Sequence, residues 1–199
     1  MLRTLYPTDI RGSVTLEGGQ NLEDVYQAVE SAVQQSGSRV EQQYAWRTCS
    51  SGNAVSMDEN GVLREDNASL NTVQLLGVED YNRAFGASQV LAEDEALLWC
   101  TDKNTLPQTV TFAGHTLAVR PLEGLPEEVE QFYSSYGAYI MVVSSYEQAA
   151  GMMQEFTGKE AGAPKVNLFL NVSGSPAQQQ RACQSLVTNT PEGMPFNVN

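Results

Sequence analysis

Tyr139-Ile140-Met141-Val142-Val143 is an unbroken apolar run of strand length, and the pattern changes at Ser144. Beyond it Tyr146, Ala149, Ala150, Met153 and Phe156 recur at helical spacing as far as Gly158, and Val166 to Val172 returns to a strand-like run. Ser144 and Glu147 have the spacing of a capping box, and Gly158 stands where a helix end favours a left-handed residue. Strand, helix and strand joined at this length predict a βαβ unit, whose two strands can lie parallel in one sheet with a right-handed crossover. Ser175 and Pro176 open a further helix carrying Ala182, Cys183 and Leu186. Asn189 to Asn199 shows no period.

Upstream of this segment the chain reads as strands, turns and three helices, the last of them short. Ser13 to Glu17 alternates as a strand does, and Gly18-Gly19 ends it. Asn21 caps a helix whose first turn carries Glu23 and Asp24, favourable at the positive end of the dipole. Leu22, Val25, Val29, Ala32 and Val33 fall on one face of that helix, and Gly37 closes it. Val40 to Thr48 is a strand carrying Tyr44 and Trp46. Asn60-Gly61 between short strand-like flanks predicts a type I′ hairpin. A polar surface loop from Arg64 to Asn71 leads to a strand at Val73, Leu75 and Leu76. Val78 to Phe85 makes one or two helical turns stopped by Gly86, and Ala96 to Cys100 suits a buried strand. Thr109 to Phe112 and Thr116 to Val119 flank Gly114 as a second hairpin. The sum is an α+β chain with a hairpin-rich lobe over 13–125 and a βαβ-containing lobe over 126–199. Residues 1–12 are expected to return and pack on the second lobe.

The 199 residues are enough for one domain or two small lobes sharing a core. A chain of this size buries roughly 70% of its unfolded surface, so a small disulfide scaffold is excluded. Cys49, Cys100 and Cys183 are odd in number and form no CxxC pair, which predicts free thiols. The net charge is −13. The first hundred residues hold six basic against fifteen acidic side chains, and the rest five against nine. Such a surface is the wrong sign for nucleic acid, which requires clustered basic residues. No apolar run approaches the roughly 20 residues that cross a bilayer, and the start lacks the layout of a signal peptide.

Residues able to do chemistry are sparse. His115 is the single histidine and lies beside Gly114 in a predicted turn, so neither a Ser-His-Asp triad nor a multi-histidine metal site can be assembled. No nucleophile signature surrounds the three cysteines, and the glycines form neither GxGxxG nor a Walker A loop. Glu93-Asp94-Glu95 is the densest acidic cluster, but a run directly before a buried strand reads as a solvated turn. A hydrolase would need two of its carboxyls facing each other across a cleft. Glu127, Glu128 and Glu130 suit the acidic first turns of a short helix after Pro126. Neither cluster has the oxygen spacing of an EF-hand. Phe132, Tyr133, Tyr136 and Tyr139 read as core before they read as a ligand groove. Of the sequons Asn67-Ala68-Ser69 and Asn171-Val172-Ser173, the second falls in an apolar strand, which argues against its use. No cofactor, metal or catalytic residue is expected from these patterns.

Three segments together resemble the large extracellular domain of FtsX-like ABC transporter permeases, in particular the bacitracin-type, MacB-like antimicrobial-peptide transporters of Gram-positive bacteria. They are Leu5-Tyr6-Pro7-Thr8-Asp9-Ile10, Val78-Glu79-Asp80-Tyr81-Asn82-Arg83, and Leu91-Ala92-Glu93-Asp94-Glu95-Ala96-Leu97-Leu98-Trp99. The resemblance implies an excised loop between two membrane helices, with Met1 an internal methionine or the start of the excised piece. It implies a non-catalytic domain on the outer face of the cell membrane. ATP is then hydrolysed by a separate cytoplasmic subunit, and the ligand is an extracellular peptide antibiotic or its lipid-linked target, with a sensor histidine kinase as a further contact. Ectodomains of this family vary widely, so no ligand-binding residue carries over. A secreted or surface-attached binding domain acting alone is the alternative.

Overall fold

The computed structural model describes residues 8–100, 106–188, 194 and 196–198. Among these residues the chain is α+β, as expected, with five helices and eleven strands. It divides into two compact units, one made of Met1–Arg47 with Ala163–Asn199 and the other of Thr48–Gly162. The expected boundary at 125/126 is not where the chain divides. Its two ends join in one unit and its middle forms the other.

In the first unit β1 (Thr8–Thr15) runs antiparallel to β10 (Lys165–Ser173) over eight pairs, from Thr8 opposite Val172 to Thr15 opposite Lys165. On the other side of β1 lies β11 (Asn197–Val198), paired with Ser13 and Gly12. The order is β11-β1-β10-β2, where β2 spans Arg39–Ser50 and its last residues enter the second unit. Period-two alternation sends Ile10, Val14, Val166, Leu168, Leu170 and Val172 into one core with α1 (Leu22–Gln35) and α5 (Pro176–Thr188). Asn21 and Asp24 cap α1 reciprocally: the Asp24 N–H donates to Asn21 Oδ1 at 3.1 Å and the Asn21 N–H to Asp24 Oδ2 at 2.8 Å. Gly12 is required by the approach of β11, since a Cβ there would lie 2.6 Å from the Asn197 carbonyl oxygen.

The second unit is ordered from the end of β2 through β5 (Thr72–Gly77), β9 (Ala138–Val143), β6 (Glu95–Cys100) and β8 (His115–Pro121) to β7 (Thr109–Phe112). β5 and β9 are parallel over six pairs, Thr72 opposite Ala138 to Gly77 opposite Val143. β6 is antiparallel to β9 and parallel to β8. Each of β5 and β9 leads directly into a helix, α2 (Val78–Phe85) and α4 (Tyr146–Thr157), and both helices pack on the same two strands. Ala149, Met152 and Met153 of α4 meet Val73, Leu75, Met141, Val143, Ala96 and Leu98 in a second core. Val55 and Leu63 join that core from the hairpin of β3 (Val55–Met57) and β4 (Leu63–Glu65). A fifth helix, α3 (Glu127–Tyr136), follows Pro126 as expected.

Three local expectations change. The elements β9, α4 and β10 follow in order, but β9 sits between β5 and β6 while β10 sits between β1 and β2, so the two strands do not pair. β9 is buried on both faces at Ile140 to Val143 and needs partners inside a sheet; β10 keeps Asn167 and Asn171 half-buried and suits a sheet covered on one face. The β3–β4 hairpin forms without a type I′ turn. Asp58 Oδ1 accepts from the N–H groups of Asn60 and Val62, and only Gly61 turns left-handed, at φ +79°. It is Ala113 and Gly114, at φ +50° and +79°, that make the two-residue left-handed turn, closing β7 on β8 at Phe112 and His115. The cap of α4 is Ser145, whose Oγ accepts from the Gln148 N–H at 3.0 Å, while Ser144 donates to the Gln148 side chain.

The helices α2 and α4 start so close together that a Cβ at Gly77 would strike the Tyr146 backbone nitrogen and lie 2.7 Å from the Ser145 carbonyl carbon. Gly151, inside α4, has open space around its Cβ position. Gly77→Ala therefore destabilises the protein by about 2–3 kcal/mol, and Gly151→Ala stabilises it by about 0.5–1 kcal/mol, both read from urea unfolding. Equal effects at the two positions would contradict the close approach.

Candidate functional site

The carboxyl end of β6 opens onto a cavity of about 320 Å³ in the second unit. Leu98, Trp99 and Cys100 of β6 form one part of its lining, Leu106 another, and Pro121 to Gly124 with Glu130 the rest. Its rim is held by the chain that follows β8. The Leu122 N–H donates to the Leu98 carbonyl at 3.0 Å, and the Tyr81 hydroxyl of α2 donates to the Glu123 carbonyl at 2.9 Å. Burial pushes the Tyr81 hydroxyl above its ordinary pKa. Gly124 turns left-handed at φ +84°. The Pro126 carbonyl then accepts from the Val129 and Glu130 N–H groups, starting α3 and bringing Glu130 back to the cavity.

Two features of this lining go beyond packing. Trp99 is 3% exposed, and its indole Nε1–H is buried with no hydrogen-bond partner among the described residues, a condition that costs about 1–3 kcal/mol where no partner is present. The charge is also one-sided: from Pro121 to Gly158 the sequence contains six glutamates and no Lys or Arg. Glu123 and Glu130 are the two of these that reach the cavity.

The residues singled out in the sequence are dispersed. His115 Nε2 lies 2.7 Å from Glu155 Oε2 in an exposed pair between the β7–β8 hairpin and α4. Glu93, Asp94 and Glu95 form the turn into β6. Glu95 Oε1 accepts from the Ala92 N–H at 2.9 Å, its Oε2 lies 3.8 Å from Arg120 Nε, and Asp94 is exposed. Cys49, Cys100 and Cys183 are free thiols, and burial raises the pKa of Cys183. Among the described residues no three His, Cys, Asp or Glu side chains come together as a metal site. Phe132 and Tyr133 meet edge to face at 5.2 Å, and the Tyr133 hydroxyl donates to Gln74 Oε1. The side chain of Tyr136 lies outside the described residues. Asn67 is exposed in a turn, and the Asn171 amide donates to Asp9 Oδ1 at 2.8 Å. Of the segments carrying the family resemblance, Thr8 to Ile10 begins β1, Val78 to Arg83 lies in α2, and Leu91 to Trp99 leads into and through most of β6. Residues 5–7 lie outside the described residues. No protein-family model, curated protein or solved structure matches the chain.

Sequence reading reached the cavity only as the strand Ala96 to Cys100. Glu123 and the cavity role of Glu130 were missed, although the unrelieved acidity between Arg120 and Lys159 was there to be read.

In the first unit Glu41 has the best-defined carboxylate environment. The Ser173 hydroxyl donates to its Oε1 at 2.6 Å, and Arg39 donates to the same oxygen through Nη2 at 2.7 Å and Nε at 2.9 Å. The Ser173 hydrogen bond first and Arg39 second hold this carboxyl below its ordinary pKa. A depressed carboxyl stabilises the fold at pH above the unfolded-state value, and that contribution is lost as pH falls through the folded-state value. Ser173→Ala therefore moves the Glu41 midpoint upward in a carboxyl NMR titration; an unmoved midpoint contradicts the assignment.

Proposed function

We propose that the chain is a non-catalytic extracellular domain of an FtsX-like ABC transporter permease, held at the cell membrane. It binds an extracellular ligand such as an antimicrobial peptide, or couples that ligand to motion driven by a separate cytoplasmic ATPase subunit. Contact with a sensor histidine kinase belongs to the same reading. The observation that carries it is the pairing of the first and last described strands. Gly12 faces Val198 and Ser13 faces Asn197 in antiparallel register, so the chain enters and leaves the first unit along neighbouring strands. That is the geometry by which a domain is inserted into a loop of a larger protein without strain on either. The three resembling segments add the family, and the net charge of −13 favours the approach of a cationic ligand. No helix among the described residues is long and apolar enough to cross a membrane, so on this reading the spanning helices belong to the flanks.

Sequencing the coding DNA on both sides tests the proposal. Apolar stretches of about 20 residues immediately before and after the segment are the expected result. A signal peptide before it and a stop codon after it would overturn the proposal in favour of a surface-attached binding domain that acts alone.

A further inference from the structure

Asn60 and Gly61 lie in the turn between β3 and β4, and the fold requires the glycine. Gly61 is left-handed at φ +79°, and a Cβ on it would strike the Thr109 carbonyl oxygen and lie 3.1 Å from Pro107 Cβ. Asn60 before it is exposed. The turn thus keeps a solvated asparagine ahead of a residue with no side chain, the pair in which a backbone nitrogen reaches the side-chain amide with least hindrance. In that reaction the Gly61 nitrogen gives up its proton and bonds to Asn60 Cγ, while the Cγ–Nδ2 bond breaks and Nδ2 leaves with a proton as ammonia. Water then opens the five-membered imide. Attack at Cγ gives aspartate with the ordinary backbone, and attack at the backbone carbonyl carbon gives isoaspartate, with the chain running through Cγ.

Asp58 opposes the first step. Its backbone carbonyl accepts from the Gly61 N–H at 3.0 Å, which engages the attacking nitrogen. Its Oδ1 accepts from the Asn60 N–H at 2.8 Å and the Val62 N–H at 3.0 Å, fixing the residues on either side. Ring closure needs the Gly61 nitrogen free and the peptide turned toward the side chain, so it waits on a local opening of the turn. The contacts just beyond would feel the product. The Gly61 carbonyl accepts from the Thr111 N–H at 2.9 Å, and Val62 bridges Thr111 in parallel. Isoaspartate lengthens the backbone by one carbon immediately before these contacts and adds a negative charge beside Asp58 and Glu59.

We infer that Asn60 is a modification site, converted spontaneously by water to isoaspartate and aspartate, that the Asp58 turn sets its rate, and that conversion loosens the β3–β4 hairpin from β7. The inference goes beyond the membrane reading and does not depend on it.

The test is to age the full 199-residue chain at neutral pH, natively and in concentrated urea, and to follow tryptic peptide 48–64 by mass spectrometry and isoaspartyl methyltransferase labelling. Isoaspartate should form at Asn60 in the unfolded chain, and about tenfold or more slowly in the native one. Asp58→Ala, folded by circular dichroism, should speed the native reaction about tenfold. Asp58→Asn, which removes the charge but keeps an oxygen acceptor, should stay near the parent rate. If Asp58→Ala does not fold, the parent in urea below its unfolding transition serves instead: the rate at Asn60 should rise before the protein unfolds, and a rise only with global unfolding overturns the local gate. In aged protein the Thr111 amide should exchange its hydrogen faster. No isoaspartate at Asn60 in urea overturns the site. Equal native and unfolded rates, or a folded Asp58→Ala no faster than the parent, overturn the role of Asp58, and unchanged Thr111 exchange overturns the loosening.

Discussion

The parallel pairing of β5 with β9 is the constraint on which the second unit depends. Six residue pairs bring the two strands to a common end at Gly77 and Val143, and a helix follows each strand at once. The backbones at the start of α2 and α4 then approach too closely for a side chain at Gly77. The Glu79 carboxylate takes the Tyr146 N–H at 2.7 Å, satisfying one of the donors left free at the start of α4. With β9 fixed in this way, β6 pairs against its other edge at Leu97 to Cys100. That pairing delivers Trp99 to the cavity. Gln148 ties the acidic turn to the same place, donating from Nε2 to the Glu93 carbonyl at 2.7 Å.

The first unit answers a different requirement. Its long β1–β10 ladder uses the beginning and the end of the chain together, and β11 reinforces β1 from the far side. Met194 and Phe196 are each 1% exposed in its core, so residues near the end of the chain belong to the fold as fully as those of α1. The middle of the chain, Thr48–Gly162, is then an excursion that builds its own core and carries the cavity. On the proposed reading the two units divide the labour, one anchoring the chain at neighbouring strands and the other presenting an acidic, partly apolar recess.

Much of this was legible in local patterns. The cap of α1 at Asn21, the stop of α2 at Gly86, the buried strand Ala96 to Cys100 and the Gly114 hairpin are each specified by residues within a few positions of one another. The partners of β9 and β10 were not legible, because sequence adjacency favours pairing consecutive strands and gives no weight to distant ones such as β5, whose Thr72 lies opposite Ala138, or β1, whose Thr8 lies opposite Val172. Burial was the available clue: β9 is apolar at every position from Ile140 to Val143, whereas β10 alternates, and these belong in different kinds of sheet. The turn types were exchanged for a related reason. Asn60-Gly61 looks like a left-handed pair, but the Asp58 side chain captures the backbone first, and the left-handed pair falls at Ala113-Gly114 instead. The cavity was hidden because its lining joins β6 to residues more than twenty positions later.

The central claim is that the chain is a self-contained module entered and left by neighbouring strands, and a circular permutant tests it most directly. Residues 1 and 199 would be joined through a short flexible linker and new ends opened between Gly18 and Gly19, in a turn where neither residue has a neighbour within 4 Å of its Cβ position. Equilibrium unfolding of the permutant is the measurement. The account predicts one cooperative transition with stability within about 1–2 kcal/mol of the parent, the scale of a change in loop closure. A permutant that fails to fold, while the parent cleaved between Gly18 and Gly19 remains folded, would contradict it.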